Sequence, residues 1–380
     1  MTVTLGEVVA RLDDAYPPRL AESWDAVGLV CGDPADEVSA ALVCVDVTEA
    51  VVDEALASGA QLILAHHPLL LRGVESVAAD TPKGRLIHRL IRGGCALFAA
   101  HTNADKVRGG VSDALADVLG LQATTPLQPE PAQPLDKWVV MVPEGNTEQV
   151  SEAMFDAGCG AIGDYRDCMW SVVGTGQFLP LDAANPAVGA IGDLTRVDEA
   201  RVEVVAPRGR RTAVLEALRA AHPYEEPAFD VFAQVALDSD VGLGRIGRLA
   251  EPMSLREFVS DVGRVLPTAP WGVRAAGDPD AAVSTVAVCG GAGDSLIGAA
   301  TAAGADVYLT ADLRHHVVDE ALRSGSPALI DAGHWATEFP WCVGAAELLA
   351  DIGCAATVHQ PPTDPFNLHC PTRTRDEETR

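Results

Sequence analysis

Nowhere does this 380-residue chain carry an apolar run approaching the eighteen or so residues that cross a bilayer, which argues against a membrane helix. Its start, Met1-Thr2-Val3-Thr4-Leu5-Gly6-Glu7, has no basic stretch followed by an apolar one, so no secretory leader is expected. There are nine cysteines, an odd number, with no C-x-x-C pair among them. Such a scattered set fits neither a disulfide framework nor a zinc ribbon, and buried or free thiols in a reducing cytoplasm are the expectation. Basic residues are scarce, 27 Lys and Arg against 54 Asp and Glu, for a net charge of −27. That surface repels phosphodiester backbones, so nucleic-acid binding by counterion release is not expected. A phosphorylated small molecule is still admissible, because bound divalent cations can invert the local field.

What is present is a succession of short apolar runs separated by amphipathic stretches. A helix is expected over residues 5–20, stopped by Pro17-Pro18, followed by strands at Ala40–Asp46, Ala60–Ala65 and Cys95–Ala100 with helices at Thr48–Ser58 and Gly84–Arg92 between them. This alternation predicts parallel βαβ units. The central strand ends in His66-His67-Pro68, where ligands of an open α/β sheet gather. Residues 122–136, rich in Gln, Thr, Pro and Glu, read as a linker.

Beyond it, strands at Trp138–Val142, Trp170–Gly174, Arg201–Val205 and Phe229–Ala233, with helices at Thr147–Ala157 and Arg211–Ala221, suggest a ferredoxin-like α+β unit carrying the run His222-Pro223-Tyr224-Glu225-Glu226-Pro227. Gly242-Leu243-Gly244-Arg245-Ile246-Gly247 has dinucleotide-fingerprint spacing, but Pro252 forbids the helix that such a site needs, so it is read as a strand re-entering the first domain.

After that strand the opening scheme recurs. Cys44 and Cys289, and Ala60 and Ala305, share one offset (289 − 44 = 245; 305 − 60 = 245), and Cys95–His101 resembles Pro327–His334. The chain therefore reads as two related α/β lobes forming one metal-binding domain: a first lobe over 1–130, an inserted unit over 131–243, a second lobe over 244–366, and a charged, disordered tail over 367–380. Facing lobes would bring His66, His67, Asp105, His334 and Glu338 to one cleft. Five N/O donors without sulfur suit two divalent ions such as Zn, Mn, Fe or Co.

The runs His66-His67-Pro68, His101-Thr102-Asn103-x-Asp105, Thr310-x-Asp312-x-x-x-His316 and Asp331-Ala332-Gly333-His334-x-x-x-Glu338 resemble those of the Nif-three-like dinuclear metal proteins, whose members often bear the name GTP cyclohydrolase 1 type 2 homologue. Trp24-Asp25-x-Val27-Gly28-Leu29 and Thr363-Asp364-Pro365-Phe366 fit as well, and the insert resembles the PII/CutA-like domain of longer members. The resemblance implies Glu338 as the bridging ligand and a homohexameric toroid with the sites facing an internal cavity. The chain departs from the family pattern at Ala26, Ala104 and Lys106, none of them a ligand position.

Functionally this points to a metal-dependent hydrolase of a small, phosphorylated or nucleotide-like substrate, with His101 or His316 shuttling a proton or orienting a ligand and His315 facing outward. The alternative is a non-catalytic, metal-dependent regulatory or small-molecule-binding hexamer. No P-loop and no credible Rossmann fingerprint supports GTP as substrate.

Overall fold

Two sheets carry the larger part of the chain in this computed structural model, which describes residues 3–370. The first has the strand order Ala355–Val358, Ala40–Cys44, Leu62–Ala65, Ala96–Ala99, Gly28–Cys31. Its first four strands run parallel, and Gly28–Cys31 closes the edge antiparallel. Leu62–Ala65 and Ala96–Ala99 are wholly buried, which is why they read as unbroken apolar runs rather than alternating ones. The second sheet has the order Arg274–Ala276, Ala328–Asp331, Val307–Ala311, Ala282–Ala292, Asp238–Ser254, Gln122–Pro131, with the same parallel trio at its centre and an antiparallel strand on either side of it.

The internal repeat is visible atom by atom. Helices Leu5–Ala15 and Leu255–Val265 each begin with a capping box, Thr4 with Glu7 and Ser254 with Glu257. Gln61 accepts from the amides of Ser39 and Ala40, and Asp306 accepts from those of Ser284 and Thr285, 245 residues on (306 − 61 = 245). Gly32 lies so near Leu5 and Ala96 that a Cβ would stand 2.7 Å from each, and Gly277 meets Leu255 and Ala328 in the same way. Both glycines have positive φ, 136° and 150°, so no other residue fits.

The lobes also exchange their last strands. The first lobe continues through the helices Thr102–Lys106 and Val111–Val118 into Gln122–Pro131, the edge of the second sheet. The second continues through the long helix His334–Asp351 into Ala355–Val358, the edge of the first. Val111–Val118 and His334–Asp351 pack on each other, and each touches strands of the opposite lobe. The lobes thus make one compact unit, which runs to Glu130 and resumes at Asp240.

Residues 122–131 are a strand rather than the linker expected from their prolines. Pro126, Pro129 and Pro131 are tolerated because the strand lies at a sheet edge, where outward positions need no N–H donor. The glycines of the Gly242–Gly247 run serve this pairing: a Cβ at Gly242 would stand 2.2 Å from the Gln128 carbonyl, and one at Gly247 2.9 Å from that of Gln122. Arg245 between them is fully buried. Its guanidinium donates to both Asp113 oxygens at 2.6 and 3.0 Å and to the carbonyls of Gly242, Gly244 and Val107 at 2.7 Å. It thereby locks the turn after Asp105 to the second sheet.

The other unit, Pro131–Ser239, is a β-α-β-β-α-β arrangement. Its antiparallel sheet has the order Phe229–Ala233, Leu135–Pro143, Thr195–Pro207, Trp170–Phe178. Val150, Met154, Val214 and Leu218 from its two helices cover Trp138, Val140 and Val204. This compact unit ends at Ser239, and the strand Asp238–Ser254 runs across its end into the larger one. In this unit Asp136 is buried and accepts two hydrogen bonds from Arg211, both at 2.8 Å; these, opposed by its burial, hold the carboxyl below the usual carboxylate range. Of the expected tail, residues 371–380 lie outside those described.

Two outcomes follow from the buried ions. Arg245→Met strands the buried Asp113 charge and should cost about 3–5 kcal/mol in urea unfolding; adding Asp113→Leu should recover part of that loss. Because the folded carboxyl of Asp136 has a lowered pKa, its contribution is present above the ordinary Asp value and is lost as pH falls from there through the lowered folded value. Acid unfolding followed by circular dichroism should show a shallower pH dependence below about pH 4 in Asp136→Asn than in the wild type.

Candidate metal centre

His66 and His67 stand at the carboxyl end of Leu62–Ala65, fixed by backbone bonds from their amides to the carbonyls of Cys44 and Val45. One strand over, His101 precedes the helix Thr102–Lys106, which carries Asp105. From the second lobe, His334 is the first residue of His334–Asp351, and Glu338 lies one turn on, on the same face.

These side chains converge on the Glu338 carboxylate. His334 Nε2 is 3.1 Å and His66 Nε2 3.6 Å from Glu338 Oε1, and His67 Nε2 is 3.2 Å from Oε2. His66 Nε2 lies 3.7 Å from Asp105 Oδ1, and His67 Nε2 lies 3.3 Å from His334 Nε2. Two groups have donor atoms close enough to share an ion: His66 with His67 and His101, and His67 with His334 and Glu338. All five expected ligands therefore lie together, with His101 beside them. His316 does not. It is exposed at the start of the helix His315–Arg323, its ring against that of His315, and it belongs to neither group of converging donor atoms.

Each ring has its Nδ1 occupied from outside the cluster. His66 Nδ1 is 2.9 Å from the Ala100 carbonyl, His67 Nδ1 2.8 Å from Asp46, His334 Nδ1 2.7 Å from Asp312, and His101 Nδ1 2.8 Å from Asp25. With an oxygen acceptor at Nδ1 that nitrogen carries the hydrogen, and in the neutral ring Nε2 presents a lone pair inward, the form that binds metals. Asp25 is itself held by the amide and hydroxyl of Thr102. Burial opposes its charge, but the bonds from His101 and Thr102 keep the carboxyl well below the usual range.

The carboxylates and imidazoles of the cluster shift one another's protonation. Burial opposes ionisation of Glu338, yet His67, His66 and His334 hold its carboxyl well below the ordinary value. Burial likewise disfavours charged His67 and His334, but Glu338 with Asp46 and Asp312 outweighs it and lifts them to about 10 and about 11. Burial pushes Asp105 up, with His66 opposing. Protons thus stand where a divalent ion would, and an incoming ion displaces them.

The donor set fits a metal on structural grounds as well. His66 Nε2 is buried without a hydrogen-bond partner, which is costly unless something else satisfies it, and Glu338 Oε2, also buried, faces only the Nε2 of His67 at 3.2 Å. Room is kept for the carboxylate by Gly291, at φ 63°, where a Cβ would lie 2.3 Å from Glu338 Oε1 and 3.1 Å from His334 Nε2. Thr337 accepts from the Gly291 amide and Thr310 donates to its carbonyl, fixing that turn. Asp312 adopts φ 57°, a left-handed conformation uncommon outside glycine, and from it reaches His334.

The outer acceptors Asp25, Asp46 and Asp312 are the residues that the sequence left without a role. One signal was available: Asp312 occupies the repeat position of His67 (312 − 67 = 245). Strand pairing also corrects the alignment after the third strand. Leu62 pairs with Ala96 and Val307 with Ala328, so Gly333, not His334, is the counterpart of His101.

Fold and site together define an α/β protein whose two repeated lobes share a histidine–carboxylate cluster able to hold a metal ion. The chain belongs to the Duf34/NIF3 (NGG1p interacting factor 3) family, whose model matches residues 3–361. It is 59% identical over 372 residues to a Mycobacterium tuberculosis protein named GTP cyclohydrolase 1 type 2 homolog, covering 97% of this chain and 98% of that one. A Bacillus subtilis protein of the same name is 41% identical over 332 residues, covering 87% and 88%. Among solved structures, a Bacillus cereus protein related to NIF3 superposes with TM-score 0.75 at 37% identity, covering 97% of this chain and 99% of that one. A Staphylococcus aureus protein superposes with TM-score 0.82 at 28% identity and the same coverage.

If Asp46 and Asp312 orient ligands, Asp46→Ala and Asp312→Ala should each weaken divalent-metal binding roughly 10–100-fold in chelator competition. Asp319→Ala, a remote carboxylate paired with Arg323, should leave it unchanged.

Proposed function

We propose that this protein holds two divalent cations between its lobes and uses them to hydrolyse a small substrate. The observation that carries this reading is the Glu338 carboxylate, buried among three imidazole Nε2 atoms whose opposite nitrogens are all tied back by oxygen acceptors. His66, His67, Asp105, His334 and Glu338 would hold the ions. Bound there, a divalent pair supplies Lewis acidity toward a substrate oxygen and acidifies a water.

The chain's own side chains supply orientation and proton transfer. His101 donates from Nδ1 to Asp25 and so has Nε2 free to take up a proton beside the cluster. Asp25, pinned by Thr102, stabilises the ring once it is charged. Asp46 and Asp312 stop His67 and His334 from turning away. His316, exposed on its helix, has no part in the step.

The relatives' name would add GTP as substrate, but no phosphate-binding loop supports it, and the substrate is kept at the level of a small hydrolysable molecule. The hexameric toroid, the PII/CutA-like character of the insert and a cytoplasmic setting belong to the same proposal. The β-α-β-β-α-β order supports the insert reading. Among the described residues no helix is long and apolar enough to cross a membrane.

Elemental analysis after dialysis should find less metal in His334→Ala and Glu338→Ala than in the wild type; equal retention would show the proposal to be wrong. Metal-loaded protein incubated with nucleotides and phosphoesters should show metal-dependent turnover that Asp105→Ala abolishes. Metal retention without turnover on any of them would favour the purely binding or regulatory role. Light scattering should give a particle about six times the 39.6 kDa chain.

A further inference from the structure

We propose that the metal cluster opens into a slot for a planar heteroaromatic ring, uncharged or cationic and of nucleobase size, held by Trp271 and Phe366. The inference builds on the metal reading only in taking the slot to be where substrate meets the cluster; binding of the ring is measured separately.

A cavity of about 250 Å³ is lined by His67, His334, Trp271, Trp335 and Phe366. Sites for drug-sized ligands run from about 300 Å³ upward, so this one suits a single or fused ring rather than a whole nucleotide. Trp271 and Phe366 meet edge to face, with ring centres 5.0 Å apart and planes at 73°. They form two nearly perpendicular walls. A flat ligand lying on one face presents its edge to the other, the arrangement aromatic pairs favour. Phe366 is 62% exposed, a large apolar surface that such a ligand would cover.

The walls are anchored to the cluster. Thr363 donates to Asp46 Oδ2 at 2.5 Å while Asp46 Oδ1 holds His67, and the Phe366 amide donates to Asp364 at 2.8 Å. The segment Thr363–Phe366 is thereby tied to the residue that orients a metal-capable imidazole.

Charge selects the ligand's substituents. Asp46, Asp312 and Asp364 line the cavity, and among the described residues no Lys or Arg does. Among the described residues a phosphate would find neither Lys nor Arg there, and the two imidazoles His67 and His334 are outnumbered by three lining carboxylates with Glu338 beside them. Ring N–H groups would find acceptors, since Asp312 spends one oxygen on His334 and Asp364 one on the Phe366 amide. The slot thus favours the N–H-bearing edge of a ring and rejects a phosphorylated one unless bound cations carry the phosphate.

The test uses the full-length protein, metal-loaded and metal-stripped, with adenine, AMP and cyclohexylamine as probes, read by tryptophan fluorescence and calorimetry. Adenine should bind, with AMP at least ten-fold weaker in stripped protein and the non-planar cyclohexylamine weaker than adenine. Phe366→Ala should weaken adenine about ten-fold or more, the scale of one stacked base, and Trp271→Leu likewise, with metal content by elemental analysis unchanged. Because Phe366 is exposed, its variant guards against a folding artefact. Failure of adenine to bind wild type, or equal affinity in Phe366→Ala and wild type, would overturn the proposal. Ring binding that needs both aromatics in a protein retaining no metal would uphold the slot and remove the hydrolase; normal metal with aromatic-independent binding would do the reverse.

Discussion

A carboxylate buried among imidazoles constrains everything around it. Removing an isolated charge from water costs several kcal/mol even after relaxation, so Glu338, with 3% of its surface exposed, needs positive charge facing it. Protons on His67 and His334 can provide that charge, and so can a divalent ion. The surroundings are fitted to this requirement. Gly291 leaves the space that a Cβ would fill, Thr310 and Thr337 fix its peptide, and Asp312 accepts an unfavourable backbone conformation to hold His334. Four rings point Nε2 toward one region because four oxygen acceptors restrain their other nitrogens.

Such a cluster needs ligands from two lobes held in fixed register, and the topology secures that. Each lobe hands its last strand to the other's sheet, and the helices leading to those strands, which include His334 and Glu338, pack together. Separating the lobes would break both sheets. Arg245 reinforces the join with five close hydrogen bonds in a dry setting, three of them to backbone carbonyls. A buried cation of this kind is a poor source of stability but a strong source of register, since few other arrangements satisfy it. Its position just after Asp105 ties that register to the site.

Much of this was legible in the amino-acid order because the repeat is written in residue types that each have a geometric reason. Short buried parallel strands must be continuously apolar, and His66-His67 at the end of one is conspicuous. Gly32 and Gly277 mark the same close approach, and the offset of 245 that Cys44 shares with Cys289 marks the second lobe. What escaped was set by long-range contact. The prolines of 122–131 resemble a linker until the strand is known to be an edge. His316 follows Asp312 by four residues, yet its helix turns it outward. Asp25 reaches His101 across 76 positions and Asp46 reaches His67 across 21, and neither pairing has a local pattern. The His101–His334 correspondence was displaced by one residue because His101 and Gly333 each stand just before their helix, an equivalence that strand register reveals.

The most direct test of the central claim is anomalous diffraction from crystals grown with zinc or manganese, recorded on either side of the metal edge. The account predicts two anomalous peaks, both within coordinating distance of the Glu338 carboxylate, with His66, His67, Asp105 and His334 completing their shells. Ordered water alone among those five side chains at saturating metal would contradict it.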